Sequence, residues 1–96
     1  MPGRRRCRRV GFRPAFTSFG PAAIGPIDPE EMILTVEEFE AVRLKDLEGL
    51  DQTECARMME ISQPTFHRLV ISARRKIADA LTNGKTIKIE GGNYRF

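Results

Sequence analysis

Between Thr35 and Ser62 the chain writes a helix-start signal three times, and that repetition limits its fold more than any other feature. Thr35 is a cap residue followed three positions later by Glu38, so each side chain can satisfy the other's backbone N–H in a capping box. Leu34 before the cap and Phe39 at the fourth helical position add a hydrophobic staple, and Gly49 is placed to end the helix near Glu48. Asp51 with Glu54 repeats the box, with Leu50 and Cys55 as a weaker staple. Ser62 repeats the cap, with Ile61 and Phe66 as the staple. Pro64 falls in the first turn, where a missing N–H costs little. The third helix should run to about Thr82 and stop at Asn83–Gly84. The expected fold is therefore mainly α, with a three-helix core.

The second and third helices lie close enough in sequence to form a helix-turn-helix, which joins two short helices at a steep angle across a tight turn. Ala56 supplies the small residue such packing needs, and Cys55, Met59, Ile61, Phe66 and Leu69 recur at intervals that let them meet between the helices. The turn is Glu60–Ser62. Its first position often has positive φ and often holds glycine, so Glu60 would cost about 1 kcal/mol in a turn of that kind. Any three-helix bundle with a short connection shows similar spacing. With Phe66 facing the core, about 100° per residue places Leu69, Val70, Ala73, Ile77, Ala80 and Leu81 on its side. The opposite face carries Pro64, Thr65, His67, Arg68, Ile71, Ser72 and Arg75, with Gln63 at the N-terminal end and Arg74 and Lys76 as flanks.

That face has the chemistry of a duplex-DNA surface. Gln63 and Arg68 can make paired hydrogen bonds with adenine and guanine in a major groove, and Thr65, His67 and Ile71 are further candidates for base edges. Ser72, Arg74, Arg75 and Lys76 suit phosphate oxygens, and Ser62 can cap the helix so that its N-terminal amides face a phosphate. A second basic region, "RRRCRR", offers Arg4, Arg5, Arg6, Arg8 and Arg9 as an arm that follows phosphates or the minor groove.

The net charge of +3 hides a segregation that fits this picture. Residues 1–27 hold six arginines and no acid, residues 28–60 hold eleven acids and three bases, and residues 61–89 hold six bases and one acid. Residues 1–34 read as a basic arm and a proline- and glycine-rich loop, 35–84 as the helix-turn-helix domain, and 85–96 as a short C-terminal β-strand and tail. Ile87 and Ile89 alternate in that tail, as do Val10 and Phe12 in the arm. The two segments can pair within one chain or across a homodimer.

Other classes are disfavoured. No apolar run approaches a membrane span, and Arg13, Pro14 and Pro21 interrupt the place where a signal peptide would need one. Two cysteines in 96 residues point to a reducing, cytoplasmic setting. Cys7, Cys55 and His67 are too few for a zinc site in one protomer, and the lone His67 has no catalytic partner motif. No metal, no cofactor and no enzymatic activity are expected.

The stretch "LTVEEFEAVRLKDLEGLDQTECARMMEISQPTFHRLVISARRKIADALTNGKTIKIEGG", with "RRVGFRP" and "GGNYRF", resembles a family of small prokaryotic proteins of unknown function described as predicted DNA-binding proteins. Its core is similar to region 4 of sigma factors, their C-terminal promoter-reading domain: an acidic first helix, the two-helix motif and a basic recognition helix. The resemblance implies double-stranded DNA binding in transcription regulation, with RNA polymerase as a further partner. Glu60, Gln63 and Pro64 depart from the family pattern, which favours glycine at the turn and a basic residue after Ser62. The alternative expectation is a protein-interaction module whose acidic face, Glu37, Glu38, Glu48 and Asp51, meets the transcription machinery.

Overall fold

The computed structural model describes residues 7–22 and 28–96. Among these residues five short strands accompany three helices: β1 Arg8–Arg9, β2 Ser18–Phe19, β3 Glu31–Leu34, α1 Val36–Val42, α2 Gln52–Met59, α3 Gln63–Asn83, β4 Thr86–Ile89 and β5 Tyr94–Arg95. β4 is the middle strand of one sheet, parallel to β3 with Leu34 opposite Ile89, and antiparallel to β2 with Phe19 opposite Ile87. β1 and β5 form a separate parallel pair, with Arg8 opposite Tyr94.

Two expectations are corrected here. The segment read as an arm and loop contributes three strands, because its pairing partners lie near the other end of the chain. The tail does form a strand, β4, but its Ile87 and Ile89 pair with β2 and β3, and the arm meets the tail further along, where β1 pairs with β5. Val10 is buried and its N–H donates to the Arg95 carbonyl at 2.8 Å. Both edges of β4 are filled by β2 and β3 of the same chain, so strand pairing between subunits through β4 is closed.

The helix starts follow their local chemistry. Thr35 and Glu38 form the reciprocal capping box. Asp51 accepts the Glu54 N–H at 2.9 Å, but the Glu54 carboxylate turns to Arg57 rather than back to the cap, so only half of the second box is made. Ser62 Oγ accepts the Thr65 N–H at 3.2 Å, and α3 ends at Gly84 with φ +66°. α1 continues into a π-helical turn, Arg43–Leu47, where the Glu48 N–H reaches the Arg43 carbonyl, before Gly49 reverses the chain at φ +75°. In a regular helix Leu47 would share the face of Leu44. The wider turn leaves Leu44 buried and Leu47 exposed.

Ala41, Leu44, Cys55, Ala56, Met59, Phe66 and Val70 form one core cluster, with Leu50, Ile61 and Leu69 packed against it. Val10, Leu34, Val36, Ala73 and Ile89 form a second, which fastens the strands to α3. Burial keeps the Cys55 thiol protonated by raising its pKa. Leu81, expected on the core side, is 78% exposed. Ala80 holds the core-facing position instead, and Leu81 lies about 100° further round the helix.

The acidic helix is the least expected part of the interior. Glu37, Glu38 and Glu40 are all buried. Glu37 accepts the Asn93 N–H at 2.9 Å. Glu40 accepts the Gly11 N–H at 2.9 Å and both Nε and Nη2 of Arg43. Glu38 accepts from the Thr35 N–H, from Ser72 Oγ at 2.5 Å and from Lys76 Nζ at 2.8 Å. Each carboxylate thus ties a different segment to α1. A Cβ on Gly92, where φ is +108°, would overlap the Glu37 carboxylate, so this position needs glycine on both counts.

Candidate nucleic-acid interface

α3 is presented by the turn before it. Glu60 has φ +59° and ψ +44°, the left-handed conformation the sequence implied for this position. Its N–H donates to the Arg57 carbonyl, the Ile61 N–H donates to the Ala56 carbonyl, and its carboxylate pairs with Arg95. The reversal therefore satisfies carbonyl acceptors at the end of α2 before α3 starts. Phe66, fully buried one turn into α3, fixes the helix's rotation about its axis.

With Phe66 inward, Gln63, Pro64, His67, Arg68, Ile71 and Arg75 are exposed. His67, Arg68, Ile71, Ser72 and Arg75 line a shallow depression of about 350 Å³. Ile71 is 46% exposed, an apolar patch between two guanidinium groups. Among the described residues neither Arg68 nor Arg75 forms an ion pair. The outer face of α3 is thus bare, cationic and apolar at its centre.

The other expected contacts are engaged elsewhere. Thr65 is half-buried, and its hydroxyl accepts from Ser62 Oγ at 2.9 Å and from Arg68 Nη2 at 3.3 Å, so it steadies Arg68 rather than facing outward alone. Ser72, expected to meet a phosphate, donates inward to Glu38. Lys76 also turns to Glu38, and Arg74 forms a two-point pair with Asp46 at 3.0 and 2.6 Å. These residues sit on α3 where the helical wheel put them. What the wheel did not show is that α1 and its π-helical turn bring carboxylates against that flank.

The electrostatics record the same division. Burial pushes the Glu38 carboxyl up, but hydrogen bonds from Lys76, Ser72 and the Thr35 backbone outweigh it and hold the pKa below its ordinary value of 4.5. The Arg74 hydrogen bond likewise lowers Asp46, and Asp46 raises Arg74. Glu37 and Glu38 are removed from the acidic surface that the alternative reading needs. Glu48 and Asp51 stay exposed, with Glu48 near Arg43 at 3.5 Å and Asp51 capping α2.

Arg8 and Arg9 belong to β1, where Arg9 is exposed and Arg8 is half-buried. Nε and Nη1 of Arg8 are shut off from solvent and have no hydrogen-bond acceptor among the described residues. The expected phosphate contacts Arg4, Arg5 and Arg6 lie outside the described residues. Arg57 and Arg95 flank the turn as well, and neither was singled out from sequence. Arg57 is fixed by Glu54 and Arg95 by a strand pairing too short to leave a periodic signal. Among the described residues no group of His, Cys, Asp and Glu is arranged to hold a metal ion, and no helix is long and apolar enough to cross a membrane.

Comparison with known proteins places the chain in a family. Residues 1–96 match the family described as protein of unknown function DUF134. The chain belongs to that family. It is 58% identical over 95 residues to the UPF0251 protein Teth39_0655 of Thermoanaerobacter pseudethanolicus, covering 99% of this chain and 80% of that relative. It is 59% identical over 95 residues to the UPF0251 protein TTE1845 of Caldanaerobacter subterraneus, again covering 80% of the relative. A UPF0251 protein of Moorella thermoacetica is 56% identical over 96 residues, and there this chain spans 64% of the relative's length. No solved structure matches.

Proposed function

We propose that this DUF134 protein binds double-stranded DNA in a sequence-specific way, with α2, the turn and α3 acting as a helix-turn-helix, and that it regulates transcription. The observation that carries the reading is the outer face of α3, where Gln63, His67, Arg68, Ile71 and Arg75 are exposed while Phe66 anchors the opposite side. In this reading the N-terminal half of α3 enters the major groove. Arg68 and Gln63 read base edges by hydrogen bonding, Ile71 meets a thymine methyl, and Arg75 meets a backbone phosphate. The resemblance to the promoter-reading domain of sigma factors supports the same orientation. RNA polymerase contact through Glu37 and Glu38 is not favoured, because both are buried.

The test is selection from randomised duplexes at physiological salt, with wild type and Arg68→Ala in parallel. Enrichment of one sequence, with loss of preference at a single base pair in Arg68→Ala, is the expected result. Retention of duplex without enrichment reduces the function to phosphate binding. Folded protein that retains no duplex overturns the reading.

A further inference from the structure

The outer edge of β2 is poorly defended against another chain. The run from Ala15 to Ala22 is exposed throughout and carries no charge, in a chain that is 30% charged. Phe16 is 75% exposed and Phe19 51%, and Phe19 shares an apolar groove of about 280 Å³ with Leu81 of α3, itself 78% exposed. Sheet edges that stay unpaired are normally guarded by charge, because their free N–H and C=O groups are a template for a further strand. The opposite edge of this sheet follows that rule, with Asp28, Glu30 and Glu31 at the start of β3. The edge of β2 does not. Its open hydrogen-bonding groups belong to Ser18. The Ile89 N–H donates to the Thr17 carbonyl at 2.9 Å, so Thr17 and Phe19 turn their backbone groups toward β4, and the alternation of an antiparallel ladder turns those of Ser18 outward. Among the described residues no strand or backbone group meets them.

We propose that this edge docks a second copy of the chain, β2 against β2 in antiparallel register about a twofold axis at Ser18, so that two three-stranded sheets become one. The edge fits itself in that register. Ser18 lies opposite the partner's Ser18 and exchanges two hydrogen bonds with it. Phe16 lies opposite the partner's Gly20, where an aromatic ring covers a strand glycine, and Thr17 lies opposite the partner's Phe19, a β-branched and aromatic pair. Each contact occurs twice, as an isologous interface requires, and no like charges meet at the axis. Pro14 and Pro21 bound the pairing, since neither has an N–H to extend the ladder. The area is of the right order. Phe16 and Phe19 still expose roughly 200–300 Å², about a third of the 800 Å² per partner of a standard interface, before Leu81 and the edge backbone are added. This is not the pairing of arm and tail, because both edges of β4 are filled within the chain. Nor does it depend on duplex binding. Where both hold, the dimer presents two outer faces of α3, and its duplex carries two half-sites.

The experiment is sedimentation equilibrium of the full chain without nucleic acid, over a range of concentrations, with wild type, Ser18→Glu and Phe16→Lys. Circular dichroism reports that each variant is folded. Both substitutions spare the protomer: Phe16 is exposed, and the carboxylate of Ser18→Glu faces Lys88 across β4 of its own chain. Across the twofold axis, however, that carboxylate meets its own copy. Wild type should approach twice the monomer mass as concentration rises, and each variant should weaken the association at least about tenfold. The register is read from Ser18→Cys in a Cys7→Ser background. Mild oxidation should link it as a disulfide dimer, because opposed residues of a hydrogen-bonded pair have Cα atoms about 5.5 Å apart. Wild type that stays monomeric at about 0.1 mM overturns the proposal. So does a dimer that both folded variants leave unweakened, since the contact then lies on another surface. A dimer that Ser18→Cys cannot link overturns the register and the proposal with it. None of these outcomes bears on duplex binding, which the selection experiment tests separately.

Discussion

The basic residues of α3 divide into two sets that the sequence alone makes look alike. Among the described residues no carboxylate pairs with Arg68 or Arg75 on the outer face, whereas Lys76 and Arg74, one helical flank away, are held by Glu38 and Asp46. The two sets carry the same formal charge but differ in what they can do. A cation already hydrogen-bonded to a carboxylate still contributes to the long-range field, but must give up its partner before it can grip a phosphate. The comparison teaches that the basic residues of α3 split by face: one face is left without carboxylate partners, and the other fastens α3 to α1. The buried glutamates decide which is which.

Removing Glu38 should break the fastened side most severely. Glu38→Ala deletes half of a capping box, the acceptor of Ser72 and the partner of Lys76. Loss of one member of such a buried set costs about 3–5 kcal/mol, a large share of the stability of a domain this small. Urea unfolding followed by circular dichroism measures it. A loss below about 1 kcal/mol would mean that the Glu38 cluster is no more than a surface arrangement.

The next effect is expected on the free side, in binding rather than stability. In fluorescence titrations with the selected duplex, Arg68→Ala should weaken affinity about 5- to 100-fold, the range for losing a good base contact. Arg74→Ala should change it less than about 3-fold, because Asp46 already occupies its guanidinium. Equal losses from the two variants would erase the distinction between the sets.

How much of this was readable without coordinates depends on sequence distance. Caps are written within three residues of the groups they satisfy, so Thr35, Asp51, Ser62 and Gly84 were legible, as was the left-handed turn at Glu60. Phe66 set the phase of α3 correctly, and the exposed positions Gln63, His67, Arg68, Ile71 and Arg75 followed from it. The strands of residues 8–34 were not legible, because β3 is four residues long and its parallel partner β4 begins at Thr86. Nor were the buried glutamates. Glu38 meets Ser72 and Lys76 from α3, Glu37 meets Asn93, and Glu40 meets Gly11. An acidic helix start gives no local sign that these distant donors will cover it.

A smaller effect tests the fastened side through pH. The folded pKa of Glu38 lies below its ordinary value of 4.5, so its contribution is fully present above that value and is lost as pH falls through the folded pKa. Asp46, also lowered by its arginine, has the same sign below its ordinary 3.8. Wild type should therefore lose stability on acidification below about pH 4.5, as the general linkage relation requires. Glu38→Gln should be less stable at neutral pH and show a shallower acid slope, while Arg68→Ala leaves the slope unchanged. An unaltered slope in Glu38→Gln would place the acid sensitivity in other carboxylates.

The smallest effect concerns the turn that aims the free face. Glu60 holds a left-handed backbone that costs a non-glycine residue about 1–2 kcal/mol, and Glu60→Gly removes that strain. Against this, glycine adds about 0.4–1 kcal/mol of unfolded-state entropy, and the exposed pair with Arg95 is worth about 0–1 kcal/mol. These opposing terms nearly cancel, so the melting temperature of Glu60→Gly should move by only a few degrees in either direction. Duplex affinity should hold, because Phe66 and not Glu60 sets the rotation of α3. A destabilisation well beyond 1.5 kcal/mol would show that the pair between Glu60 and Arg95 clamps β5 to the turn, and with it β1 and Arg8. In that event glutamate stands at this position for the sake of the strand pair rather than for the turn itself.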